Sequence, residues 1–286
     1  MKVVHTSAVL KHALAAHDKV AFVPTMGNFH DGHLTLVELA KQQADCVVVS
    51  IFVNPLQFDS SADLEQYPRT LEADCKKLEA LGATIVFAPS VEEMYPEFGG
   101  ASLNQTMTIT PPPMASILCG AIRPGHFSGV ATIVAKLFNL VQPDVAVFGK
   151  KDFQQLSIIC ELVKQFNFAI KIVAGDIVRE ASGLAMSSRN GHFTAQQKTQ
   201  AGQLNQALKS AIAGAQTTPT TFMNIEKQAT EALTKQGWEV DYISIRSALT
   251  LKPAREDDEQ LVILGAATLA NIRLIDNIEF CAKPLN

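Results

Sequence analysis

Cationic charge is not in surplus in this chain. Its 286 residues carry 24 Lys and Arg against 28 Asp and Glu, a formal net charge of −4. That argues against a nucleic-acid binder relying on bulk positive charge, though local donors can still hold an anionic substrate. Cysteine is scarce: Cys46, Cys75, Cys119, Cys160 and Cys281 are odd in number, widely spaced and form no C-x-x-C. A disulfide scaffold is therefore not expected, and a reduced, cytoplasmic protein with buried thiols is. Long apolar runs are missing, so no segment approaches the length of a membrane span. Lys2, Lys11, His12 and His17 break up the N-terminal apolar residues, and Met1 to Lys19 does not read as a signal peptide. No solenoid repeat or low-complexity tract is visible. What remains is an ordinary globular composition, 47% hydrophobic and 18% charged, in a chain long enough for a substantial core and two domains.

One stretch stands out: Pro24-Thr25-Met26-Gly27-Asn28-Phe29-His30-Asp31-Gly32-His33. Val20 to Val23 before it reads as a short buried strand. Leu34, Leu36, Val37 and Leu39 after it recur at helical spacing. A strand, a glycine-bearing turn and a helix set free backbone N–H groups and a positive dipole end against a phosphate. His30 and His33, three residues apart at a helix start, would face the same way. The stretch is neither a Walker A loop nor a GxGxxG turn. Here imidazoles stand where a lysine would, and imidazole N–H can hold charge that builds up on a phosphoryl oxygen. Two other uses stay open, a loop with two satisfied histidines and part of a zinc site. No Cys pair or third ligand lies near in sequence to support the metal.

The rest of the chain alternates. Residues 7–17 and Thr70 to Gly82 read as helices; Cys46 to Phe52 and Thr84 to Ala88 read as strands. Val53-Asn54-Pro55-Leu56-Gln57-Phe58 is a loop at a strand's carboxyl end, where open α/β sheets place ligands. Turn chemistry is the other reading of Asn54 and Gln57. Ser90-Val91-Glu92-Glu93 has the form of a capping box. Pro96 to Pro113 is irregular, with one strand expected around Met107-Thr108-Ile109. A glycine-bearing segment, Arg123 to Gly129, precedes an apolar helix over Val130 to Val141. Asp144 to Phe148 is a strand that turns through Gly149-Lys150-Lys151-Asp152 into another helix, and Ala169 to Val173 is a further strand. A solvated charge pair is the other reading of Lys150 and Lys151. This βαβα alternation predicts an α/β fold with a parallel, doubly wound sheet. Beyond about residues 175–180 come one long helix from Thr194 to about Gly214, a second over Thr221 to Gln236, and strands at 240–245, 260–264 and 272–275. They predict a smaller α+β C-terminal domain, with the division placed at 1–177 and 178–286.

Read together, the motifs carry a resemblance. Met26 to His33 resembles the His-Ile-Gly-His signature of the nucleotidyltransferase superfamily. Met186-Ser187-Ser188-Arg189 is similar to a degenerate form of its Lys-Met-Ser-Lys-Ser signature. Val53 to Phe58, Tyr67 to Thr70, Arg123 to Phe127, Phe148 to Gln155 and Arg273 to Asn277 narrow the likeness to the pantoate–β-alanine ligase (pantothenate synthetase) family, from about residue 1 to 280.

The resemblance implies a ligase that joins pantoate to β-alanine with ATP, giving pantothenate, AMP and pyrophosphate. It further implies Mg²⁺ carried mainly by the ATP phosphates, a Rossmann-like N-terminal domain, a C-terminal domain closing over ATP, and a homodimer with no nucleic-acid or membrane partner. Carried over by motif, ATP would be held by Met26, Gly27, Asn28, Phe29, His30, Asp31, Gly32 and His33, by Gly149, Lys150, Lys151 and Asp152, and by Val178, Met186, Ser187, Ser188 and Arg189. The catalytic groups would be His33, His30 and Lys151. Pantoate would meet Gln57 and Gln155, with Gln57 also near β-alanine and Asn54 and Arg123 beside them. The family's usual turn has Glu where this chain has Lys150, and Ser128 stands at a position often charged. A related nucleotidyltransferase that stops after adenylyl transfer is the alternative. It would want extra cationic residues in the acceptor pocket, where Asn54, Gln57 and Gln155 are neutral.

Overall fold

The computed structural model describes residues 1–59, 61–96, 105–217, 221–255 and 257–281. The chain divides into two compact units. The first comprises residues 1–149 and 158–175, and the second 150–157 and 176–286.

In the first unit, β1 (Lys2–Val4) and α1 (Ser7–Leu14) lead to β2 (Val20–Thr25), α2 (Asp31–Lys41) and β3 (Cys46–Ile51). Then follow α3 (Ser61–Gln66), α4 (Leu71–Ala80), β4 (Ile85–Phe87), α5 (Val91–Met94), α6 (Cys119–Ile122), α7 (His126–Val141) and β5 (Val145–Gly149). The helix α8 (Phe153–Gln165) precedes β6 (Lys171–Gly175); its residues from Ile158 onward belong to this unit. The six strands form one parallel sheet in the order β1-β4-β3-β2-β5-β6. The expected parallel α/β sheet is therefore present. From β2 the order runs outward both ways, so the carboxyl end of β2 is the topological switch point, the place where such sheets bind ligands. Thr25 ends that strand and Met26 begins the turn. Val23, Val37, Val47, Val49, Val86 and Val147 are at most 1% exposed and belong to one core. Strands buried on both faces read as unbroken apolar runs, which is why Cys46 to Ile51 showed no alternation.

In the second unit α9 (Ala195–Ala201), α10 (Gln203–Thr217) and α11 (Phe222–Lys235) pack on an antiparallel sheet of β7 (Glu239–Ser247), β8 (Gln260–Leu269) and β9 (Ile272–Cys281). The expected α+β pattern is present, with strands longer than their apolar stretches indicated.

Several local expectations are corrected. No strand forms at Met107–Ile109; Ile109 N–H donates to Thr132 Oγ1, and its carbonyl accepts from Ser128 Oγ. Side chains of α7 thus replace a strand partner, which gives Ser128 a structural task. Residues 97–104 of that expected irregular segment lie outside the described residues. The long helix breaks at Gly202, where a Cβ would meet the Ser182 carbonyl oxygen at 2.2 Å. The Ser90 cap forms only halfway. Ser90 Oγ accepts from Glu93 N–H, but the Glu93 carboxylate accepts from Ser7 N–H and Oγ instead, which holds its pKa low. Of the thiols expected to be buried, only Cys46 is, and Cys160 is exposed.

Candidate active site

The turn after β2 is built by backbone conformations that few residues accept. Gly27 has φ +87° and Asn28 φ 55°, both left-handed, where glycine is unstrained and asparagine is among the most tolerant of the other residues. Asp74 on α4 holds this turn. Its carboxylate, 1% exposed, accepts from Asn28 N–H (2.8 Å), Phe29 N–H (2.9 Å) and Thr70 Oγ1 (2.9 Å). Lys77, one turn further, donates to Phe29 O at 2.6 Å.

His30 and His33 then cap α2 reciprocally. Gly32 N–H donates to His30 Nδ1 (3.1 Å), and His30 N–H donates to His33 Nδ1 (3.4 Å). A ring nitrogen that accepts cannot carry a proton, so each neutral imidazole has its proton on Nε2. The rings lie 4.1 Å apart at 36°, on one face as the spacing predicted.

The expected use of free backbone N–H groups needs correction. Gly27 N–H goes to Thr25 Oγ1, Asn28 and Phe29 to Asp74, and His30 and Gly32 to the imidazoles. An anion taking the Asn28 and Phe29 amides would have to displace a buried carboxylate. The turn places two imidazoles at the positive end of a helix instead.

Gln57 lies in a 3₁₀ turn, Pro55–Gln57, after β3. Its carbonyl accepts from His126 Nδ1 (2.8 Å) and Arg123 Nη2 (3.2 Å), and Arg123 Nε also pairs with Asp59. The Gln57 side-chain Nε2 donates to Met26 Sδ at 3.1 Å. A residue assigned to ATP and one assigned to pantoate therefore touch. Asn54 is 1% exposed, with Oδ1 accepting from Tyr95 and Leu56 and Nδ2 donating to Gln57 and Gly129. Asn54 caps the turn, as turn chemistry has it, and its Nδ2 also grips Gln57.

The second unit carries the other candidates. The turn Lys150–Asp152 leads into α8, where Gln155 is half-buried. Asn277 Nδ2 donates to the carbonyls of Lys150 (2.8 Å) and Lys151 (3.0 Å). Beside it on β9, Asp276 receives the Arg179 guanidinium through two oxygens, at 2.7 and 2.9 Å. Arg179 belongs to a hairpin in which Met186 N–H donates to Val178 O, so Val178 and Met186 meet. Ser187 Oγ accepts from Arg189 N–H, and buried Asn190 donates to Ala185 O and Glu180 Oε1. The structure thus brings Lys150–Asp152, Val178 and Met186–Arg189 onto one frame anchored at Asp276-Asn277. The sequence places that pair at the end of the Arg273 to Asn277 motif without local signs of this task.

Lys150 and Lys151 part company. Lys150 Nζ is paired with Glu279 (2.8 Å) and Asp176 (3.1 Å), and the bond to Glu279 chiefly raises its pKa. Lys151 has Asp152 at 3.7 Å, beyond good hydrogen-bond distance. The charge of Lys150 is committed to two carboxylates, whereas Lys151 makes only a looser pair with Asp152 among the described residues. A raised lysine pKa contributes stability that is full below the ordinary lysine range and fades as pH rises through the raised value. Because Lys150 is 29% exposed, Lys150→Ala is expected to cost at most about 1 kcal/mol at pH 7. It should also leave the KM for ATP unchanged. Thermal melts and initial rates check this, and a tenfold rise in that KM would return Lys150 to the nucleotide site.

Among the described residues, no group of three or more His, Cys, Asp or Glu side chains could hold a metal ion. No helix among them is long and apolar enough to cross a membrane.

Known proteins resemble this chain over nearly its whole length. The family model described as Pantoate-beta-alanine ligase matches residues 2–279. The pantothenate synthetase of Methylobacillus flagellatus is 58% identical over 280 residues, covering 98% of this chain and 99% of its own. That of Thiobacillus denitrificans is 52% identical, covering 98% and 97%. A crystal structure of the Thermus thermophilus pantothenate synthetase superposes with a TM-score of 0.90 at 40% identity, covering 99% of this chain and all of that one. The Francisella tularensis pantoate-beta-alanine ligase, complexed with beta-gamma ATP and beta-alanine, superposes at 0.78 with 31% identity, covering 99% and 98%.

Proposed function

The chain belongs to the pantoate–β-alanine ligase family, and from that premise we propose that it condenses pantoate with β-alanine through a pantoyl adenylate, consuming ATP and releasing AMP and pyrophosphate. The observation that supports the site assignment is the reciprocal His30–His33 cap, which holds both imidazoles at the start of α2.

A carboxylate does not acylate an amine at neutral pH, because its oxygen is a poor leaving group. In the first step the pantoate carboxylate attacks the α-phosphorus of ATP and pyrophosphate departs. Charge spreads over the α-phosphate oxygens and the leaving group, and positioning with electrostatics supplies most of the catalysis in such transfers. His33 and His30 donate to the α-phosphate region. We assign Lys151, Ser187, Ser188 and Arg189 to the phosphates that leave. In the second step the free amine of β-alanine attacks the acyl carbon, the acyl–oxygen bond breaks, and AMP departs with that oxygen. No Ser, Cys or Lys nucleophile is needed. Gln57 and Gln155 bind pantoate by neutral hydrogen bonds, leaving its carboxylate nucleophilic. We assign Mg²⁺ to the ATP phosphates and a homodimer to the assembly, both supported by the family resemblance, and a cytoplasmic location, supported by the scarce, unpaired cysteines.

With ATP, Mg²⁺, pantoate and β-alanine the nucleotide product should be AMP, and omitting pantoate should abolish pyrophosphate release. ADP as the product would replace the adenylate with an acyl phosphate and overturn the proposal.

A further inference from the structure

The orientation of the Gln57 side-chain amide decides whether it offers substrate a donor or an acceptor. Its Oε1 accepts from Asn54 Nδ2 at 3.0 Å, which leaves Nε2 directed at Met26 Sδ. A thioether is a weak acceptor, so a substrate oxygen can take that N–H at little cost. Asn54 is itself oriented. Its Oδ1 accepts from the Tyr95 hydroxyl at 2.6 Å and more loosely from Leu56 N–H at 3.3 Å, while Nδ2 also reaches Gly129 O at 3.2 Å. The Tyr95 contact is the shortest of the four that hold Asn54.

Tyr95 lies at the end of α5, 2% exposed, packed near the Phe52 ring and with Lys136 Nζ 5.0 Å from its own ring centre. Burial pushes its phenol pKa upward, so the hydroxyl stays protonated and donates.

We propose that Tyr95 is a positioning residue for pantoate: its hydroxyl fixes the Asn54 amide, Asn54 fixes that of Gln57, and Gln57 thereby presents Nε2–H rather than its carbonyl to the substrate. The relay favours an acceptor, a carboxylate or hydroxyl oxygen, over a donor at that point. It rests on the assignment of Gln57 to pantoate made above. Asn54 acts within the relay and not as a direct contact, because its amide atoms are already engaged.

The test is a double-mutant cycle read in KM for pantoate and for ATP. Tyr95→Phe removes only the hydroxyl. It is expected to raise the pantoate KM about three- to tenfold, the scale of one hydrogen bond, without moving the ATP KM. In the Gln57→Ala background the same change should have no further effect. Multiplicative effects, or a Tyr95→Phe enzyme with unaltered pantoate KM, would overturn the relay while leaving Gln57 in its role. A Gln57→Ala enzyme with unaltered pantoate KM would overturn the assignment of Gln57, and the relay with it. Asn54→Asp guards against a poorly folded Tyr95 variant. It keeps both acceptor contacts but turns a carboxylate toward Gln57 Oε1, forcing that amide to flip. Its pantoate KM should rise, and the rise should vanish with Gln57→Ala; persistence of the rise there would contradict the relay.

Discussion

His33→Ala is expected to lower adenylate formation by about 10²–10³-fold while leaving ATP affinity nearly unchanged, the scale seen when one preorganised oxyanion donor is removed. The expectation rests on where the proton sits. His33 Nδ1 accepts from the His30 backbone, so its donor is Nε2–H. Such a neutral donor interacts modestly with ground-state phosphate and more strongly as charge accumulates in the transition state. An interaction that grows only there lowers turnover and spares binding. The truncation also removes the partner of His30 N–H at the start of α2, so a small loss of stability is expected, read separately by thermal melting. Pre-steady-state pyrophosphate release and nucleotide titration separate the effects. A His33→Ala enzyme that binds ATP tenfold more weakly but turns over normally would contradict the role.

Lys151→Ala is expected to impair both, with adenylate formation falling about 10²-fold or more and the ATP KM rising about tenfold. Lys151 is a full charge on a flexible stem, able to follow the phosphates from ground to transition state. Its nearest carboxylate among the described residues is 3.7 Å away, and its main chain is fixed by Asn277. The contrast with Lys150, whose ammonium sits on Glu279 and Asp176, makes the pair an internal control. Equal responses to the two alanine changes would mean that the ion pairs do not separate their functions.

The strand, turn and helix around His30 and His33 were legible because one hydrophobic period gives way to another across a glycine-bearing turn, and no distant residue is needed to see it. Asp74 was not legible. It stands among Glu72, Lys76 and Lys77 on a charged helix, and nothing local distinguishes it. Its task is set by pairing between distant segments, since the order β4-β3-β2 carries α4 toward the β2 turn. Tyr95 was hidden likewise, its partner Asn54 belonging to another loop. The need for glycine at position 202 could not be read from helical spacing, because the carbonyl that forbids a side chain there comes from Ser182. β1 was missed because three residues are too few to show alternation. The absent strand at Met107–Ile109 failed for the opposite reason. Its residues suit a strand, but Ser128 and Thr132 take its backbone groups.

The adenylate is the central claim, and oxygen-18 in the pantoate carboxylate tests it most directly. If that carboxylate attacks the α-phosphorus, its oxygen becomes the bridge of the adenylate and leaves with AMP when the amine attacks the acyl carbon. Mass spectrometry of AMP from a single turnover with labelled pantoate, ATP and β-alanine should find one labelled oxygen. AMP formed without label would show that the acyl group never passed through a bond to the α-phosphate, and would contradict the mechanism assigned to this site.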